Sequence, residues 1–255
     1  MPGPVALVGS GEFLTHMAEF DAGLLAATGR RRPRVAIVPT AAVPDGEETF
    51  QRWAAMGLEH FRALGAEVEA VLVRDRQAAN DPGHAQAVGQ ADLIYLSGGK
   101  PGYLRDVLAG SPVWAAMLAA HRGGSILAGC SAGAMVLAER QIDLRPRVGM
   151  PVRWVEALGV VRRSAVIPHY DAQPEPVVAL TVLAAPPGIT VLGIDEDTAI
   201  VGRDGAWQVH GRGRVTVWNG RHRERHRRGD AFRLDGAEPN EDDHGHDNDG
   251  GDESG

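Results

Sequence analysis

Short apolar runs of strand length alternate along the chain with longer stretches of helical period. Val5 to Val8 precedes Met17 to Ala27, Val35 to Val38 precedes Glu47 to Leu64, Val68 to Val73 follows, and Leu93 to Leu96 precedes Val107 to Ala120. Strands that are apolar at successive positions are covered on both faces, and their alternation with helices implies right-handed βαβ units around a parallel sheet. Further apolar runs at Ile126 to Ala128, Ala165 to Ile167 and Ile189 to Ile194 fit the same sheet. After Thr198 the pattern shortens to AIVGRDGAWQV and RVTVW, with Asp204-Gly205 as a turn, which predicts antiparallel strands at the sheet edge or in a small cap. The expected fold is therefore α/β: a three-layer, doubly wound, mostly parallel sheet with antiparallel strands near the C-terminus, in one domain over residues 1–235.

In such sheets ligands sit outside the carboxyl ends of the strands. The polar and glycine-rich residues gather at those ends: Gly9-Ser10-Gly11, Pro39-Thr40, Ser97-Gly98-Gly99-Lys100, Ser131, Pro168-His169-Tyr170 and Asp195-Glu196-Asp197. One of these segments carries recognisable chemistry. In GGSILAGCSAGAMVL, Gly129, Ser131 and Gly133 form a G-x-S-x-G pattern between a strand and a helix, the turn that holds a nucleophile ready for attack. Small neighbours at Ala132 and Ala134 and the unpaired N–H groups of the following helix suit the same role. Two other readings compete: a plain Gly/Ala-rich packing turn, and Cys130 as the nucleophile, as in a glutamine amidotransferase. Centring the turn on Cys130 puts alanine at both glycine positions, so the spacing favours Ser131.

A serine needs a base, and histidine suits neutral pH. Of ten histidines, His222, His226, His244 and His246 fall in charged stretches. His16, His60, His84 and His121 fall on or beside predicted helices, where a surface role is expected, and His210 falls in the presumed hairpin. His169 alone follows a predicted core strand downstream of the serine. The orienting carboxylate could be Glu196, Asp143 or Asp171. The oxyanion hole is expected from the N–H of Ala132 and from the Gly98-Gly99 pair, where glycine permits close backbone approach. No P-loop or dinucleotide-binding glycine pattern is present, which argues against a nucleotide site.

Composition narrows the function classes. Apolar residues make up 44% of the 255, enough for a substantial core. The net charge of −7 is concentrated in the segment Gly236 to Gly255, which carries eight acidic residues and no Lys or Arg; the remainder holds 26 basic against 25 acidic, near +1. That segment lacks apolar periodicity and is expected to be disordered and solvated, with His244 and His246 as weak metal candidates at most. The basic run RHRERHRR, Arg221 to Arg228, lacks interleaved aromatics, so a solvated hairpin end is expected rather than a nucleic-acid surface. One cysteine excludes an intrachain disulfide and a multi-cysteine zinc site. With no long apolar run and no basic-apolar leader, a soluble cytoplasmic protein without a metal or cofactor is expected, acting on a small molecule rather than at a membrane. Lysine occurs once, as Lys100, beside the paired glycines.

Taken together, SGGKPGYL, GCSAGA, IPHYD and GIDEDTA, in this order over Val5 to Trp218, resemble the serine peptidase family of aspartyl dipeptidase (dipeptidase E) and cyanophycinase. The resemblance implies a class I glutamine amidotransferase-like fold, a flavodoxin-like sheet in which serine replaces the cysteine nucleophile. It implies Ser131 as nucleophile, His169 as base, Gly99 and Ala132 as oxyanion donors, and Glu196 as the acid, with Asp143 at the position from which the dipeptidase branch draws its own. Gly98, Lys100 and Tyr170 would line the substrate site. The implied substrates are small peptides or isopeptides, those with N-terminal Asp or β-Asp among them, and a homodimer is compatible with the reading. Two features depart from the family pattern. The arginine-rich stretch that cyanophycinases carry after the histidine is YDAQPEP here, and the acidic or amide residue after the paired glycines is Lys100.

Overall fold

The computed structural model describes residues 1–143 and 152–234. The acidic segment after Gly236, with His244 and His246, lies outside the described residues. The fold is α/β, and its strands form two sheets rather than the one expected.

The first sheet is built around five parallel strands: β1 (Val5–Val8), β2 (Arg34–Val38), β3 (Glu67–Ala70), β4 (Leu93–Leu96) and β5 (Ile126–Cys130), in the order β1-β5-β4-β2-β3. Burial on both faces explains the apolar sequence of β1, β2, β4 and β5, whereas the edge strand β3, EVEA, exposes both glutamates. Val5, Leu7, Ile94 and Leu96 enter one core with Leu104, Leu108 and Met117, whereas Ala6, Val8, Leu93 and Tyr95 enter the other with Phe20, Leu24 and Phe61. The second core is lined by α1 (Ala18–Ala27) and α2 (Glu47–Ala63), the first by α3 (Pro82–Gly89), α4 (Pro101–Leu108) and α5 (Pro112–Arg122). The helix expected over Val107 to Ala120 is thus two. Gly110 at φ 65° turns the chain, the Ser111 hydroxyl accepts the Trp114 N–H at 3.1 Å, and Pro112 opens the new helix where its missing N–H costs nothing.

After the short helix α6 (Ala132–Leu137) the chain enters the second sheet through β6 (Ala138–Ile142), β7 (Trp154–Glu156), β8 (Val161–Ile167) and, beyond α7 (Glu175–Leu183), β9 (Thr190–Ile194). It crosses back at Asp195–Asp197 into β10 (Thr198–Arg203) and β11 (Ala206–Gly211), which join β1 antiparallel through the Asp204-Gly205 turn. Finally β12 (Arg214–Asn219) and β13 (His222–Arg227) extend the second sheet beside β9, and β14 (Ala231–Arg233) returns to β11. The antiparallel strands near the C-terminus are therefore shared between the two sheets. The basic run is a hairpin edge whose Arg223 and Arg228 meet Glu175 and Glu19, each at 2.7 Å.

Candidate active site

The glycine pattern around Ser131 has a steric cause. A Cβ on Gly129 would collide with the backbone of Gly133, and one on Gly133 with the carbonyl of Leu96. The turn can pack this tightly between β4 and β5 only with both side chains absent. Ser131 itself adopts φ 50°, ψ −108°, a conformation that L-residues avoid and that persists when surrounding structure enforces it. Its N–H donates to Val8 O at 2.9 Å, which ties the strained residue to the end of β1.

Strand register then delivers its partners. β8 and β9 run parallel with Ile167 opposite Gly193, so two residues further on His169 and Asp195 leave the sheet side by side. His169 turns at φ 49°, and its Nε2 lies 3.1 Å from Ser131 Oγ. Its Nδ1 lies 2.8 Å from Glu196 Oε1. The Glu196 N–H in turn donates to Asp171 Oδ1 at 2.8 Å, so Asp171 fixes the segment that carries Glu196. Asp143 follows β6, on the other flank of β8 from β9, and its N–H donates to Arg153 O at 2.8 Å. Three segments from two sheets thus place serine, imidazole and carboxylate in one hydrogen-bonded line. The His169 and Glu196 side chains keep 38% and 49% of their surface open to solvent, which leaves a path for a substrate.

The loop that carries the paired glycines lies against Ser131, where a Cβ on Gly98 would stand 3.5 Å from Ser131 Cβ. Among Gly98, Gly99 and Lys100, the Gly98 N–H donates to Glu12 Oε1 at 2.9 Å and the Lys100 N–H to Ala41 O at 2.7 Å. Only the Gly99 N–H lacks a protein partner among the described residues, and Gly99 sits at φ 138°, where a Cβ would strike the Ala41 carbonyl. Gly98 is thereby a structural member of the loop and not a free donor. Ala132 opens α6, whose six residues are too few for a large dipole, so stabilisation of negative charge falls to individual N–H groups.

Other expected residues have contacts that the sequence does not disclose. The Tyr170 ring packs on Gly193 and its hydroxyl accepts the Trp218 N–H at 3.0 Å, so it braces the His169 loop against the second sheet. The Lys100 ammonium rests 3.1 Å from Asp45. Cys130 is fully buried: desolvation first, and the nearby Glu12 carboxyl second, push its thiol well above the ordinary range, and its S–H donates to Glu12 Oε2 at 2.8 Å. A nucleophilic thiolate at Cys130 has no access to substrate there. Three histidines expected at the surface are partly or largely buried, two of them paired with carboxylates. His60 meets Asp21 at 2.8 Å with both side chains buried, His16 meets Asp197 at 2.7 Å, and His121 is 8% exposed. Glu12 escapes the sequence reading altogether, although its place directly after Gly9-Ser10-Gly11 was a signal.

Among the described residues no group of three or more His, Cys, Asp or Glu side chains is arranged to hold a metal, and no helix is long and apolar enough to cross a membrane. A cavity of about 680 Å³ opens at the opposite end of the sheet, near Val5 and Arg122, remote from Ser131.

The pattern of peptidase family S51 matches residues 5–210, which include Ser131, His169 and Glu196. The chain belongs to peptidase family S51. It is a serine-type hydrolase of the peptidase class. Cyanophycinase of Trichormus variabilis is 29% identical over 223 residues, covering 84% of this chain and 72% of the relative. Cyanophycinase of Synechococcus elongatus is 31% identical over 217 residues, covering 81% and 62% respectively. Among solved structures, a peptidase from an acI-B1 Actinobacterium superposes with a TM-score of 0.82 at 32% identity, covering 92% of this chain and 98% of that one. A Listeria monocytogenes protein assigned to peptidase E superposes at 0.61 with 18% identity, covering 84% and 100%, a likeness of fold.

Proposed function

We propose that the protein hydrolyses small peptides or isopeptides with an N-terminal Asp or β-Asp residue, using Ser131, His169 and Glu196. The observation that carries the reading is the continuous line Ser131 Oγ, His169 Nε2, His169 Nδ1, Glu196 Oε1, with steps of 3.1 and 2.8 Å. Ser131 Oγ attacks the scissile carbonyl while His169 Nε2 takes its proton, and Glu196 holds the ring and stabilises the imidazolium. The oxygen that gains charge points to the N–H groups of Gly99 and Ala132. His169 returns the proton to the departing amine, which leaves an ester on Ser131. A water then loses a proton to His169 and attacks that ester, and Ser131 recovers its proton as the acid departs.

Lys100 is the cation we assign to the acidic preference: its ammonium is exposed beside the paired glycines, and a substrate carboxylate would have to displace Asp45, 3.1 Å away. Cyanophycin itself fits less well, because Tyr170 to Pro176 contains no arginine. A panel of Asp-X, β-Asp-X and neutral X-X dipeptides tests the reading. Hydrolysis confined to acidic N-termini, abolished in Ser131→Ala and selectively weakened in Lys100→Ala, is expected. Equal turnover of neutral dipeptides would overturn the acidic preference, and turnover surviving in Ser131→Ala would overturn the mechanism.

A further inference from the structure

Glu12 is a buried carboxyl, 5% exposed, that the catalytic line does not use. Its two oxygens divide between the two backbone segments whose relative placement matters most. Oε1 accepts the Gly98 N–H at 2.9 Å, one residue before the Gly99 amide, and Oε2 accepts the Cys130 S–H at 2.8 Å, one residue before Ser131. The residues around it are shaped to send the side chain there. Gly11 and Phe13, on either side, both have positive φ, at 84° and 64°. For a bulky residue such as Phe13 that conformation is an outlier, held by the structure around it. A Cβ on Gly98 would meet Glu12 Oε1 at 2.7 Å and displace the carboxyl group.

We propose that Glu12 is a positioning residue that sets the distance between the Gly99 oxyanion donor and Ser131 by clamping Gly98 and Cys130 to one carboxyl group. The inference rests on the proposed role of Ser131. It assigns the single cysteine a use: a thiol kept protonated by its surroundings is a permanent donor to the clamp. A displacement of about 1 Å between attacking and stabilising groups costs about 10²-fold in rate, and removal of one oxyanion donor costs about 10²- to 10³-fold. Loss of the clamp therefore acts on the chemical step and not on substrate affinity.

The test is the rate of Ser131 phosphonylation by a fluorophosphonate, resolved into a limiting rate kinact and an affinity KI. Full-length protein is compared with Glu12→Ala, Glu12→Gln, Cys130→Ala and Cys130→Ser, with folding checked by circular dichroism. Glu12→Ala is expected to lower kinact about 10²-fold with KI changed less than about twofold. Glu12→Gln, which keeps an acceptor for Gly98, and Cys130→Ala, which removes only the thiol arm, are expected to lose about tenfold. Cys130→Ser, which keeps a donor, is expected to recover most of that loss. The S–H stretching band of the lone cysteine should shift in Glu12→Gln. An unchanged kinact in folded Glu12→Ala, or an equal loss in Cys130→Ser and Cys130→Ala, overturns the clamp. Failure of the wild type itself to be phosphonylated at Ser131 overturns the nucleophile assignment instead.

Discussion

Glu196 Oε1 lies 2.8 Å from His169 Nδ1 although the two residues are 27 positions apart and belong to loops after different strands. The contact follows from register: β8 and β9 pair in parallel, so the segments beyond Ile167 and Gly193 emerge as neighbours. Replacing the carboxylate by an amide keeps the shape and removes the charge that, in the proposed mechanism, stabilises the imidazolium. Glu196→Gln should lower kcat about 10⁴-fold with little change in KM. Steady-state kinetics on a hydrolysed dipeptide checks it, and a loss in KM alone would argue for a binding role.

The Tyr170 brace makes a separate prediction. A methyl on Gly193 would occupy the space of the Tyr170 ring and force it, and with it the His169 loop, to move. Gly193→Ala should lower kcat about 10²-fold. It should also cost about 1–3 kcal/mol of stability, a few degrees in Tm for a chain of this length. Tyr170→Phe removes only the bond from Trp218 and should cost about 1 kcal/mol. Parallel calorimetry and kinetics of the two variants would separate the ring's packing from its hydroxyl.

Cys130 should be inert in the folded protein. Its thiol is fully buried, held protonated by desolvation and by Glu12. Iodoacetamide should leave the native protein unmodified and add one label after denaturation. Rapid native alkylation with loss of activity would favour amidotransferase chemistry at Cys130.

Stability should fall on mild acidification. Burial lowers the proton affinity of His121 and of His210 below the ordinary value of 6.5, with Arg122 and Arg228 adding in the same direction. The unfolded chain then binds more protons than the folded one just below pH 6.5, so this contribution is intact above that pH and is lost as pH falls through the lowered folded values. Tm measured between pH 7.5 and 5 should decline for the wild type and decline less for His121→Gln. An identical decline in the two proteins would assign the slope to other groups.

How much of this was legible beforehand can be judged residue by residue. The parallel strands β1, β2, β4 and β5 follow from their apolar runs, and the serine turn from its two glycines, because those signals are local. The placement of His169 after a core strand was also local. The second sheet was not legible: Ala165 to Ile167 and Ile189 to Ile194 are as apolar as the runs in the first sheet, and periodicity does not say with which strand a run pairs. Spacing alone left Glu196, Asp143 and Asp171 open for the same reason, and only the family resemblance preferred Glu196, since the answer depends on which strand's loop lies beside His169. Buried polar pairs such as His60 with Asp21 were hidden, because a helix sequence does not tell which turn of its polar stripe meets another helix. Glu12 is masked by the glycines of its loop, although a carboxyl group among glycines at a strand end is itself a signal.

The central claim is that the Ser131 hydroxyl is the nucleophile and His169 its base. The most direct measurement is intact-mass and peptide mapping after exposure to a fluorophosphonate. One adduct per chain, located on Ser131, absent from Ser131→Ala and formed far more slowly in His169→Ala, is the predicted result. A folded protein that acquires no adduct, or acquires it on another residue, would contradict the account.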